Sequence, residues 1–143
     1  MKAWKRLEKE AAEAFGGIRR VRISYSERAG DIIHPLFSIE CKWGKQIPKW
    51  VKDGPIIWGD CVIISLKDIK REAKGGIIRR THRDRSCKFI ADAMIQALSY
   101  DKTKKKIPLV AFKLPGMRGL IFCVRCYDYG VLKEYLGGRL LLQ

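Results

Sequence analysis

The chain has no run approaching ~20 apolar residues, the length a helix needs to cross a bilayer, so no membrane span is expected. Acidic residues are scarce. Fifteen Asp and Glu stand against 30 Lys and Arg, a formal charge of +15 that points to a polyanionic partner. Such charge supplies salt-dependent affinity for a phosphate backbone and no sequence specificity. Histidine is limited to the isolated His34 and His82, and His34, just before Pro35, reads as a turn-packing residue rather than a metal ligand. The five cysteines (41, 61, 87, 123 and 126) form no regular framework, which suits reduced thiols in a cytoplasm. Cys123 and Cys126 form a lone Cys-x-x-Cys in a predicted strand, where i and i+3 point to opposite faces, so a zinc site there is rejected. No internal repeat or low-complexity segment appears. Met1-Lys2-Ala3-Trp4 leads straight into a charged helix, so no signal peptide is expected and a cytoplasmic, intracellular location follows.

What is present begins with size: 143 residues, 47% of them hydrophobic, are enough for one domain, 1–143, with a real core. Gly30-Asp31 is followed, nine residues after Asp31, by Glu40-Cys41-Lys42. In a strand over Leu36–Lys42, Phe37, Ile39 and Cys41 form one apolar face while Ser38, Glu40 and Lys42 share the other. This is the spacing of a metal-dependent phosphodiesterase site. Phosphodiester hydrolysis needs charge neutralised in the transition state and a water made nucleophilic, and Mg²⁺ held by one or two carboxylates serves both needs. Asp31 and Glu40 are the candidate metal ligands, the Cys41 carbonyl an extra oxygen, and Lys42 the group that positions water or steadies developing charge. The plainer alternative is an ordinary strand carrying a surface Glu–Lys pair.

Residues 3–15 read as an amphipathic helix stopped at Gly16-Gly17, with Trp4, Leu7, Ala11 and Phe15 in one apolar stripe. Glu8 sits at the margin of that stripe, where a carboxylate needs a partner, either the metal site or Lys5 or Lys9 in solvent. Farther on, Trp58–Ser65 reads as a buried strand, Ser65 as the cap of a helix over Leu66–Lys74, and Gly75-Gly76 as its stop. From Lys67 to Lys88 nine Lys/Arg face three acids, which reads as a solvated loop or as an arm that grips phosphates. A basic run over Lys102–Lys106 links the next helix to its following strand and is a second candidate for DNA contact. A helix over Ser86–Tyr100, strands over Ile107–Leu114 and Leu120–Cys126, and a closing helix over Tyr129–Leu136 complete the order. Trp43, Trp50 and Trp58 are expected in the core rather than as base-stacking platforms.

The order of helix Glu8, basic segment, Asp31 and Glu40-Cys41-Lys42 resembles the PD-(D/E)xK nuclease superfamily, and within it Holliday junction resolvase-like and phage-type small endonucleases. The likeness covers roughly the first third of the chain, with Gly30 in place of the motif's proline. It implies a restriction-endonuclease-like α/β fold, a mixed central sheet flanked by helices, with a basic insertion at about 52–85. It further implies that Glu8 matches the helix-one glutamate, Asp31 the metal-binding aspartate, and Glu40 and Lys42 the catalytic doublet. Ser24 or Ser26 would match a serine near the site, and Gln96, four residues before Tyr100, would orient a water or phosphate. The expected activity is Mg²⁺-dependent hydrolysis of branched DNA by a homodimer, with Mn²⁺ able to substitute. DNA contacts are expected from Arg19, Arg20, Arg22, Ser24 and Lys45 near the site and from Arg79, Arg80, Arg83 and Arg85 in the later basic run. The competing expectations are a general duplex or nicking endonuclease and a non-catalytic basic nucleic-acid-binding protein.

Overall fold

Helix α1 (Ala3–Phe15) starts the computed structural model, which describes residues 2–19, 32–76, 78–101, 103 and 105–138. Leu7, Ala11, Ala12 and Phe15 are its buried face; Trp4, expected in the same stripe, is 44% exposed because it lies one turn beyond the sheet-covered part. Gly16 ends the helix in the left-handed region (φ 65°), and the Gly17 N–H closes the turn on the Ala12 carbonyl at 3.0 Å. A Cβ on Gly17 would lie 2.8 Å from both Ile32 Cγ2 and the Ile33 carbonyl, so only glycine lets the chain cross there.

Eight strands form one mixed sheet: β1 (Ile18–Arg19), β2 (Ile32–Ile33), β3 (Phe37–Trp43), β4 (Ile56–Trp58), β5 (Cys61–Ser65), β6 (Thr81–Arg83), β7 (Ile107–Lys113) and β8 (Ile121–Arg125), in the order β1-β2-β3-β7-β8-β5-β4-β6. β3 and β7 run parallel from Phe37↔Ile107 to Trp43↔Lys113, and β4 and β6 are also parallel; the other neighbours are antiparallel. The 52–85 segment supplies β4, β5 and β6, which extend the sheet beyond β8. Two expectations differ there. Residues 58–65 are not one strand, because Gly59-Asp60 makes a two-residue hairpin with Gly59 at φ 58°. The basic run is not all loop, because Thr81–Arg83 pairs with β4.

Helices α2 (Leu66–Ala73), α3 (Lys88–Ser99) and α4 (Tyr129–Leu136) complete the layers. The Ser65 side chain caps α2 by accepting from the Asp68 N–H at 3.1 Å. One core, shared with α1, α2 and α4, holds Phe37, Ile39, Leu109, Phe122 and Val124; the other, shared with α3, holds Ile63, Val110, Phe112 and Cys123. Among the described residues no helix is long and apolar enough to cross a membrane.

His34 joins the first core together. It is 2% exposed, and its Nδ1 accepts from the Leu36 and Phe37 N–H groups at 3.1 and 3.2 Å. Nε2 therefore carries the hydrogen and donates to the Phe15 carbonyl at 3.1 Å, with the Tyr135 hydroxyl 3.0 Å away. Tyr135 also donates to that carbonyl. Burial, joined by the charge of Lys106, holds the imidazole below its ordinary value of 6.5, against the raising effect of the Phe15 carbonyl. The unfolded chain then takes up a proton as pH falls through about 6.5 while the folded chain resists it. The His34 contribution is thus complete above that pH and is lost below it. Urea midpoints are expected to fall between pH 7.5 and 5.5 and to fall less in His34→Phe, whose midpoint at pH 7.5 is itself lower.

Candidate active site

β3 is covered on both faces, by α1 on one and α3 on the other, and such strands ordinarily read as continuous apolar runs. β7 obeys this, with Val110 and Phe112 buried; β3 does not. Its α3-facing row is Ser38, Glu40 and Lys42, opposite Pro108, Val110 and Phe112 of β7. Ser38 Oγ donates to the Ala97 carbonyl of α3 at 2.5 Å, which fixes the direction of the row. Glu40 is 4% exposed, and Lys42 Nζ lies 3.5 Å from its Oε1 and 6.0 Å from the centre of the Phe89 ring. At 3.5 Å this is an ion pair rather than a tight hydrogen bond. It offsets part of the desolvation cost of a buried carboxylate while leaving the Lys42 side chain a quarter exposed.

Asp31, the other expected acidic ligand, lies outside the described residues. Its chain neighbour Ile32 pairs with Ile39, the chain neighbour of Glu40. The Leu36 carbonyl accepts from Ile107 of β7 at 2.9 Å, so by alternation the Cys41 backbone is directed to the β2 side of β3. The Cys41 thiol packs into the α1-side core, away from Glu40. The site therefore offers hard oxygen donors, the Glu40 carboxylate and the Cys41 carbonyl, with no thiolate beside them. That donor set fits Mg²⁺ or Mn²⁺ and not a thiophilic ion. Among the described residues no three metal-ligating side chains converge. Glu8 is half-buried on α1, the helix that covers the opposite face of the sheet from the Glu40–Lys42 row.

Gln96 is exposed on α3. It shares a helical flank with Phe89, two turns earlier, and Tyr100, and that flank is the one Phe89 turns towards Lys42. The structure thus brings Glu40, Lys42 and the Gln96 flank to one side of β3, with α1, which carries Glu8, covering the other face. Phe89 was not foreseen; Ser38 was placed in the row by alternation, and its bond to α3 is what the sequence did not show.

The basic residues divide. Arg20, Arg22 and Ser24, and the side chain of Arg19, lie outside the described residues, as do Lys102 and Lys104; Lys45 is exposed in the loop after β3. Arg80 is held by Glu72 Oε1 and lies 5.2 Å from the Tyr129 ring, while Tyr129 donates to Glu72 Oε2. Burial opposes ionisation of Glu72, but the bonds from Tyr129 and Arg80 outweigh it and hold the carboxyl below its usual range. Arg83 pairs with Asp53 at 2.7 Å. Arg79 and Arg85 are exposed. Trp43, expected in the core, is 41% exposed at the end of β3, and Trp50 and Trp58 are half-buried.

Comparison of the chain with protein-family models, curated proteins and solved structures yields no match. Arg80→Ala is expected to destabilise the fold by about 2 kcal/mol, since it takes the guanidinium from a largely buried Glu72 and leaves it the Tyr129 hydroxyl. Arg79→Ala should stay within about 0.5 kcal/mol of the parent. Chemical denaturation of the two variants checks both.

Proposed function

We propose that the protein is a Mg²⁺-dependent endonuclease that hydrolyses DNA phosphodiester bonds, structure-selective for branched DNA in the manner of Holliday junction resolvases. The observation that carries this reading is the buried Glu40 carboxylate beside Lys42, a charged pair on an interior strand where packing alone calls for apolar side chains. The sheet with helices on both faces is compatible with the restriction-endonuclease-like fold of that superfamily. The charge of +15 supplies affinity for a phosphate backbone.

In this reading Glu40, Asp31 and the Cys41 carbonyl hold the ion. The chemistry that a bound Mg²⁺ supplies there is neutralisation of phosphate charge and acidification of a water. Lys42 sits against the scissile phosphate as a point charge, with Glu40 fixing its ammonium and Phe89 bounding its reach. Gln96, on the flank of α3 that Phe89 shares, orients water or a neighbouring phosphate. Glu8, carried on α1, joins the metal site or its water shell in this reading. Two nicks placed symmetrically on a junction need two sites, which gives the homodimer.

Labelled four-way junction, linear duplex and single-stranded DNA, incubated with Mg²⁺ or EDTA, test the reading. Paired symmetric cuts in the junction are expected, abolished by EDTA and reduced at least about 100-fold in both Glu40→Ala and Lys42→Ala with binding retained. Equal cutting of duplex would leave a general endonuclease. Binding without cleavage under any divalent ion would leave a basic nucleic-acid-binding domain.

A further inference from the structure

A cleft of about 460 Å³ opens between the β4–β5 hairpin, the 83–86 stretch and α3. It lies on the flank of α3 opposite to Phe89 and Gln96, because its helical lining is Ala91, Met94 and Ile95. Its volume is that of an ordinary small-molecule site, mostly apolar with a few polar groups at the rim. The floor includes Trp58, whose indole is fixed in place. Nε1 donates to the Arg85 carbonyl at 2.6 Å, and the Trp50 ring stands 6.4 Å away. Ile95 leaves the cleft's helical wall uncovered: it is 64% exposed, an unusual position for a large aliphatic side chain on a helix. The rim carries both signs, with Asp60 and Asp84 beside Arg83 and Arg85. Arg83 is tied to Asp53, whereas the exposed Arg85 has no carboxylate partner among the described residues.

We propose that this cleft receives one unpaired nucleobase, with the adjoining phosphate on Arg85. The proposal deepens the nuclease reading, on which it rests for the choice of DNA, by naming what makes a substrate recognisable: a base freed from its stack, as branch points supply. A fixed indole with apolar walls gives a base its stacking surface whatever its identity, and a single unpaired guanidinium at the rim gives its phosphate a counter-charge. Asp60 and Asp84, at the same cleft, accept from exocyclic amino groups. A hydrophobic peptide would leave Arg85, Asp60 and Asp84 without polar partners, and the net charge of +15 favours a polyanion over a second copy of the chain.

The test uses the full chain in EDTA, so that no strand is cut. It is mixed with an oligonucleotide carrying a fluorescent purine analogue in an unpaired stretch, and separately with a fully paired duplex of the same length. Binding is expected to quench the unpaired analogue through stacking. Ile95→Glu, at an exposed position that should not disturb the fold, should lower affinity for the unpaired strand about tenfold more than for duplex. The duplex accounts for the added negative charge. Arg85→Ala should lower the same ratio, and Ile95→Ala provides a neutral second variant. Equal losses on both DNAs, or no quenching, would overturn the proposal. So would a change of sedimentation mass in Ile95→Glu, which would make the cleft a contact between copies. Cleavage is read separately: quenching without any Mg²⁺-dependent cutting sinks the nuclease reading alone, whereas cutting with an unchanged affinity ratio sinks the cleft alone.

Discussion

Parallel pairing of β3 with β7 along their full lengths, Phe37↔Ile107 to Trp43↔Lys113, is the constraint on which the rest of the molecule depends. A parallel pair cannot be closed by a tight turn, so the chain between the two strands must travel. It uses that excursion to build β4, β5, α2 and β6 on the far side of β8 before α3 returns across the sheet. The pair is buried on both faces in consequence, with α1 on one side and α3 on the other. Every polar side chain on it then carries a desolvation cost, and Glu40 carries the largest of them.

The arginines show how a strongly basic chain divides its charge between folding and surface. Arg80 and Arg125 answer Glu72 and Asp128, and Arg83 answers Asp53. Arg80 also covers the Tyr129 ring, so it ties the end of α2 to the start of α4. With 30 Lys and Arg against 15 acids, at least half of the cations can have no carboxylate of their own and face solvent as an electrostatic field, the condition for attraction to a polyanion.

Much of the architecture was legible because periodicity reports burial directly. Residues 3–15 carry an amphipathic stripe and a double-glycine stop, and α1 follows them; Ser65 announces its own helix. The alternation of Phe37, Ile39 and Cys41 against Ser38, Glu40 and Lys42 placed the two faces of β3. What periodicity could not report was what covers each face. One sequence pattern fits both a solvated pair and a buried one, and the choice was made by α3, whose contacts with β3 are long-range. The same limit explains Trp4, which shares the phase of Leu7 and Ala11 but overhangs the sheet. The Gly59-Asp60 hairpin was hidden by an apolar run on either side of it, and β6 by a surplus of charge that reads as loop. That α1 and the Ser38–Glu40–Lys42 row lie on opposite faces of the sheet is likewise a fact of layering, which spacing along a chain does not encode.

The His34 imidazole, bonded to the Phe15 carbonyl and beside the Tyr135 hydroxyl, has a consequence for how the protein comes into being. Its partners stand 120 residues apart, and the Tyr135 hydroxyl reaches the Phe15 carbonyl itself. During synthesis α1 emerges first, but the ring that stacks 6.0 Å from Phe15 arrives only with α4. The apolar stripe of α1 must therefore wait, uncovered by its final neighbours, while nearly all the chain is made. Helix α1 is thus locked by a helix more than a hundred residues farther along the chain, a non-local contact of the kind that slows folding.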